Sequence, residues 1–282
     1  NALTVIPLRT FFESKNLYVV NIPAGVTEIG ERAFYATALD EIELTNKVTT
    51  IGTYAFAGGL HYEALSSITI GNDVKLIGDY AFNNLTKVKN LVIPDSVTAI
   101  GKDAFGDSYF DTITIGTGVK TIGRNAFSNY RDEWVLYIKD IEAWCNITFE
   151  LGANPLDSAT NVYINGKIAT HVEIPYGVTA IGAYAFNNWP NLISVTIPDS
   201  VKTIGKMAFS QCPSLVTVYG GNGVTTIGEQ AFVECTALTD FSFGNKLTAV
   251  GSYAFAGCGK LSEIHLPNGL KTIESYAFRG CQ

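Results

Sequence analysis

Charge is scarce in this chain. Only 16% of its 282 residues are Asp, Glu, Lys or Arg, and 19 basic residues stand against 26 acidic ones, a formal net charge of −7. Binding to a phosphate backbone draws on clustered positive charge, so nucleic acid is not an expected partner. Long apolar runs are missing too: no window approaches the roughly 18 consecutive apolar residues that a membrane-spanning helix needs. The chain opens Asn1-Ala2-Leu3 with no basic region leading into an apolar stretch, which fits a protein whose signal peptide has been removed. Histidine is limited to His61, His171 and His265, none in a His-Glu-x-x-His context. Gly-x-Ser-x-Gly, Cys-x-x-Cys and Walker-type patterns do not occur, and no nucleophile stands at a recognisable spacing from a base. The expectation is a protein that is not an enzyme and takes no cofactor.

Apolar residues, by contrast, make up 47% of the chain, ample for a large core. They are also periodic. The dipeptide Ala-Phe occurs ten times, with its Phe at 34, 56, 82, 105, 127, 186, 209, 232, 255 and 278. Apart from one gap of 59 residues the spacings are 22 to 26, within the roughly 20–29 of leucine-rich repeats. In the most regular stretch Leu192, Val195, Ile197, Val201, Ile204, Ala208, Phe209 and Cys212 recur 23 residues later as Leu215, Val218, Gly220, Val224, Ile227, Ala231, Phe232 and Cys235. Two further units supply Leu238, Phe241, Phe243, Leu247, Val250, Ala254, Phe255 and Cys258, then Leu261, Ile264, Leu266, Leu270, Ile273, Ala277, Phe278 and Cys281.

A unit this short cannot close its own core, but stacked units turn each inward position into a ladder of like side chains. The alternation Ser194-Val195-Thr196-Ile197 predicts one short strand per coil, and turns such as Pro198-Asp199-Ser200 reverse the chain. The stretch around Ala-Phe has the composition of a short helical turn. Cys212, Cys235, Cys258 and Cys281 follow the repeat and do not converge, so they predict a row of reduced core thiols with no metal.

The repeat Leu-x-x-Val-x-Ile-Pro-x-x-Val-x-x-Ile-Gly-x-x-Ala-Phe-x-x-Cys, read at Leu192 to Cys212, resembles the leucine-rich repeat of BspA-like surface proteins, also called the Treponema pallidum type. The resemblance implies an α/β, β-rich leucine-rich repeat solenoid: a right-handed curved superhelix with one short strand and one short helical turn per coil of about 23 residues. It implies a secreted or cell-surface protein of host-associated bacteria. Some members are linked to adhesion to host matrix proteins such as fibronectin and fibrinogen. On this reading residues 1–282 form one monomeric solenoid with a cap region over 1–21 and an irregular element over 128–185, and the stop in mid-repeat suggests sequence beyond Gln282. Glu274 in place of the Ile-Gly glycine, and Gly220 in place of an Ile, depart from the pattern.

Within the irregular element, Val135 to Ile138 reads as a strand, Asp140 as the N-cap of a helix through Cys145, and Asn165-Gly166 as a tight hairpin turn. It reads either as a projecting recognition element or as a modified coil.

Binding is expected on the outward side of the strands. The register places there Glu41, Glu43, Ser67, Thr69, Asn90, Val92, Thr112, Thr114, His171, Glu173, Ser194, Thr196, Thr217, Tyr219, Asp240, Ser242, Glu263 and His265. Of these Glu41, Glu43, Thr69, Thr112, Thr114, His171, Glu173, Thr196, Thr217, Tyr219, Asp240, Glu263 and His265 form the candidate site for a protein or glycoprotein partner. Tyr219 is its only aromatic, a residue type that anchors interfaces. A merely soluble β-face, or a spacer carrying other domains, is the alternative. A second stripe, Tyr54, Tyr80, Tyr184, Tyr253 and Tyr276, precedes Ala-Phe in five units and reads as packing between coils.

Overall fold

The computed structural model describes residues 2–44, 47–58, 65–128, 133–242 and 244–281; His61 and Phe243 lie outside them. Two compact units are formed, residues 1–139 with 149–158, and residues 140–148 with 159–282. Each is a β-solenoid, and among the described residues helix is confined to Ile141–Cys145 and a 3₁₀ turn at Pro155–Ser158.

Each regular coil contributes two strands where the alternation signals one. The expected strands pair in parallel: Glu41–Leu44 with Ser67–Ile70, then Asn90–Val92, Thr112–Ile115 and Trp134–Ile138 in the first unit. In the second unit His171–Glu173, Ser194–Ile197, Thr217–Gly220 and Asp240–Phe241 form the equivalent sheet. A further ladder of two-residue strands sits in the Val-x-x-Ile-Gly segment, from Val5–Ile6 to Thr121–Ile122 in one unit and from Ala180–Ile181 to Thr272–Ile273 in the other.

Glycine makes this second ladder possible through space, not through backbone angle. A Cβ on Gly52, Gly78 or Gly228 would lie 2.8–2.9 Å from backbone atoms of the preceding coil. Without one, Gly52 N–H reaches Ile29 O, and Gly228 N–H reaches Ile204 O, at 2.8 Å.

The core is a ladder of rings. Phe11, Phe34, Phe56, Phe82, Phe105 and Phe127 stack successively at centroid distances of 4.9–5.5 Å, and Phe186, Phe209, Phe232, Phe255 and Phe278 do so at 4.9–5.3 Å. Rings in this offset geometry gain attraction beyond the area they bury.

The helical turn expected at Ala-Phe is a non-helical tight turn. The residue before each Ala-Phe has positive φ, from 49° at Asp103 to 62° at Tyr184, and a second such residue often follows Phe by two, as at Asn84, Gln211 and Glu234. Two left-handed residues within five interrupt the i to i−4 ladder that a helix requires.

In the last coil Leu266 and Ile273, assigned inward, are 45% and 44% exposed. The segment 262–266 forms no strand.

Candidate binding surface

Alternation on the main strands buries every second side chain and turns the others out. In the second unit this places two rows in register: His171, Ser194, Thr217 and Asp240, and beside them Glu173, Thr196 and Tyr219. Tyr219 is 52% exposed. His171 Nδ1 lies 2.6 Å from Ser194 Oγ, so the first row is laced by a side-chain hydrogen bond. Glu263 and His265 are exposed but stand on no strand, and do not join these rows as register predicted.

The first unit carries two shorter patches. Glu41 and Glu43 face Ser67 and Thr69 across one strand pair. Asn90 and Val92 face Thr112 and Thr114 across another, with Thr112 Oγ1 donating to Asn90 Oδ1 at 2.8 Å and Val92 54% exposed. The structure adds Val135 and Tyr137, which align with Thr112 and Thr114. The alternation Trp134-Val135-Leu136-Tyr137-Ile138 carried that signal, but the missing Ala-Phe kept these residues out of the repeat register.

Inside the irregular segment the local expectations hold. Asp140 has extended backbone and its Oδ1 accepts Ala143 N–H at 2.7 Å, capping Ile141–Cys145. Asn165 and Gly166 both have positive φ, 51° and 73°, and close the antiparallel pair Ala159–Ile164 with Lys167–Ile168. Trp134–Ile138 joins the first unit's strands, and Glu150 N–H bonds Ile122 O, so residues 134–138 and 149–150 continue the coil.

The cysteines are buried in a row, apart from half-buried Cys281. Cys212, Cys235, Cys258 and Cys281 donate from Sγ to the carbonyl oxygens of Phe186, Phe209, Phe232 and Phe255 at 3.0–3.3 Å. Burial, more than neighbouring charge, pushes the thiols of Cys235 and Cys258 well above the usual range, and that of Cys145 up to about 12. Among the described residues no group of three His, Cys, Asp or Glu is placed to hold a metal, and no helix is long and apolar enough to cross a membrane.

The tyrosine stripe packs between coils. Tyr54 stacks on Tyr80 at 4.5 Å, and Tyr253 on Tyr276 at 5.0 Å.

Stacked coils with a phenylalanine ladder, paired parallel strands and an Ile-Gly contact define a leucine-rich repeat β-solenoid. The chain belongs to the BspA-type leucine-rich repeat family, whose model matches residues 59–142 and 159–282 in six copies. Among solved structures it is similar to a leucine rich cell surface protein from Faecalibacterium prausnitzii, with 26% identity, 99% of this chain and 75% of that one covered, and a TM-score of 0.43. It is also similar to leucine-rich repeat proteins from Eubacterium ventriosum (24% identity, 92% and 81% covered, TM-score 0.45) and Bacteroides ovatus (24%, 94% and 85%, TM-score 0.40). No curated protein matches it.

Proposed function

We propose that this chain is a non-catalytic interaction module that works outside the bacterial cell and recognises a protein or glycoprotein partner on its outward strand rows. The observation that carries this reading is the in-register pair of rows ending at Asp240 and Tyr219, which offers hydroxyls, carboxylates and one open aromatic ring on a rigid sheet. Short side chains on a stacked ladder lose little freedom on binding, and the exposed Tyr219 supplies an aromatic anchor. Membership of the BspA-type family supports a role in surface interaction. Host matrix proteins, fibronectin and fibrinogen first, are the partners we propose to test.

The test is binding of the 282-residue chain to immobilised matrix and serum proteins at physiological salt, beside the double variant Thr217→Glu, Tyr219→Ala. Both substitutions leave the inward ladder intact. Saturable binding that the variant loses is the expected result. Binding by neither protein, which a spacer would give, or equal binding by both, overturns the assignment.

A further inference from the structure

The turn face of the first unit carries a cleft that the strand rows do not explain. It has a volume of about 380 Å³ and is lined by Tyr35, Tyr54, Asn83, Asn84, Asp107 and Tyr109, with Ala57 and Gly58 at its base. Its origin lies in the repeat. The two positions after the ladder Phe hold Tyr35-Ala36, Ala57-Gly58, Asn83-Asn84 and Gly106-Asp107 in four successive coils. Small residues in the second coil leave a gap between an aromatic ring on one side and a pair of amides on the other.

The walls are held in place. Phe12, one coil earlier, stacks on one face of Tyr35 at 5.2 Å and 11°. The next coil holds Ala57 at the equivalent position, too small to continue that pair of rings. Tyr54 meets Tyr35 at 6.2 Å with the rings 77° apart; Tyr80 is stacked on Tyr54, and the Arg32 guanidinium lies 4.8 Å from its ring centroid, which fixes the plane of that ring. Asn83 is oriented by donating from Nδ2 to Gly106 O at 2.9 Å, which leaves Oδ1 as an acceptor. Asn84 sits at φ 66°, with its backbone N–H bound to Gly106 O and its side-chain amide uncommitted among the described residues. Asp107 adds an exposed carboxylate at φ 56°.

The chemistry of this set selects a ligand class. Tyrosine rings offer apolar surface to a flat patch of C–H groups, while amides and a carboxylate pair with groups that both donate and accept. Among the described residues no Lys or Arg lines the cleft and a carboxylate does, which disfavours an anion; six side chains with polar groups disfavour a hydrocarbon. The volume is near the lower end of the roughly 300–1,000 Å³ of small-molecule sites. We propose that this cleft binds a neutral pyranose, the terminal sugar of a glycan, with its C–H face against the tyrosine wall and vicinal hydroxyls on Asn83, Asn84 and Asp107. The site is separate from the strand rows and takes a different kind of ligand.

The experiment uses the whole 282-residue chain on an array of immobilised glycans ending in glucose, galactose, mannose or N-acetylglucosamine, or in sialylated and sulfated sugars, with competition by the free methyl glycosides. Saturable binding to at least one neutral terminus, displaced by its methyl glycoside, is expected. Asn84→Gly keeps the backbone geometry and removes only the amide, and Tyr35→Ala removes one ring of the tyrosine wall; each weakens binding about tenfold or more. Thr217→Glu, Tyr219→Ala leaves sugar binding unchanged, which separates this site from the strand rows. No binding to any neutral terminus, binding to charged termini alone, or full affinity in Asn84→Gly overturns the proposal.

Discussion

Oε2 of Glu274 accepts the backbone N–H of Ser252 at 2.9 Å, and Oε2 of Glu150 accepts that of Arg124 at 2.8 Å. Both glutamates occupy the glycine position of the Ile-Gly step, and both keep its backbone bond, Glu274 N–H to Val250 O and Glu150 N–H to Ile122 O. The substitution therefore exchanges close approach for a carboxylate that satisfies the N–H following the previous coil's glycine.

Three substitutions at two positions test that exchange. Glu274→Ala leaves the Ser252 N–H to water and costs about 1 kcal/mol, with Glu274→Gln falling between it and the parent. Gly251→Ala, one coil earlier, puts a Cβ 2.6 Å from Glu229 N and costs about 1–3 kcal/mol, because both atoms belong to packed backbone. Denaturant midpoints of the three variants measure the order.

Left-handed residues in the turns offer a gain in stability. Gln211 has φ 55° where the equivalent positions two coils and three coils later are Gly257 and Gly280, both with positive φ. Gln211→Gly relieves an L-residue of that conformation and is expected to stabilise by about 1 kcal/mol, read as a rise in the thermal midpoint. A fall would mean that the Gln side chain contributes more than its backbone loses.

The thiol row sets a reactivity pattern and a pH limit. Burial raises the folded-state pKa of Cys145, Cys235 and Cys258, so their contribution to stability is complete below the unfolded thiol value of about 8.5 and declines as pH rises above it. A thiol reagent at pH 7.5 should modify Cys281 first and all five cysteines only after denaturation. Cys235→Ser should cost less than Cys235→Ala, since Ser108 already donates to Phe82 O from the same repeat position.

Asp95 titrates in the opposite sense. The Thr117 N–H at 2.9 Å is the main cause that holds its carboxylate below the usual range, with Lys139 Nζ at 3.0 Å second. The carboxylate favours the fold above about pH 3.9, and that contribution disappears as pH falls through the lower folded value. In a carboxyl NMR titration Lys139→Met should move the Asp95 midpoint up, but not to that of an unpaired aspartate; full return would assign the whole effect to Lys139.

Much of this was legible in the sequence because a repeat multiplies weak signals. One Ala-Phe says little, whereas ten at near-constant spacing, one gap apart, place a stacked ring in every coil that carries the dipeptide. The strand rows followed from alternation, and Asp140 and Asn165-Gly166 from local rules that need no tertiary context. The Val-x-x-Ile-Gly strands were hidden because a two-residue strand has no period, and its glycine reports on a backbone in the next coil. The tight turns were hidden because Tyr, Met, Gln and Arg carry no left-handed signature, so Ala-Phe looked helical. The sugar cleft is a difference between coils, in Ala57 and Gly58, and a consensus averages such differences away.

The two units interleave along the chain, since 140–148 belongs with the later residues and 149–158 with the earlier ones. No single cleavage point can therefore yield two whole halves. A cut after Lys139 strips the first half of Phe149 and Glu150, and a cut after Ser158 strips the second of Trp144, whose Nε1 donates to Ala185 O at 2.7 Å. Dissection by truncation would damage whichever half it set out to isolate.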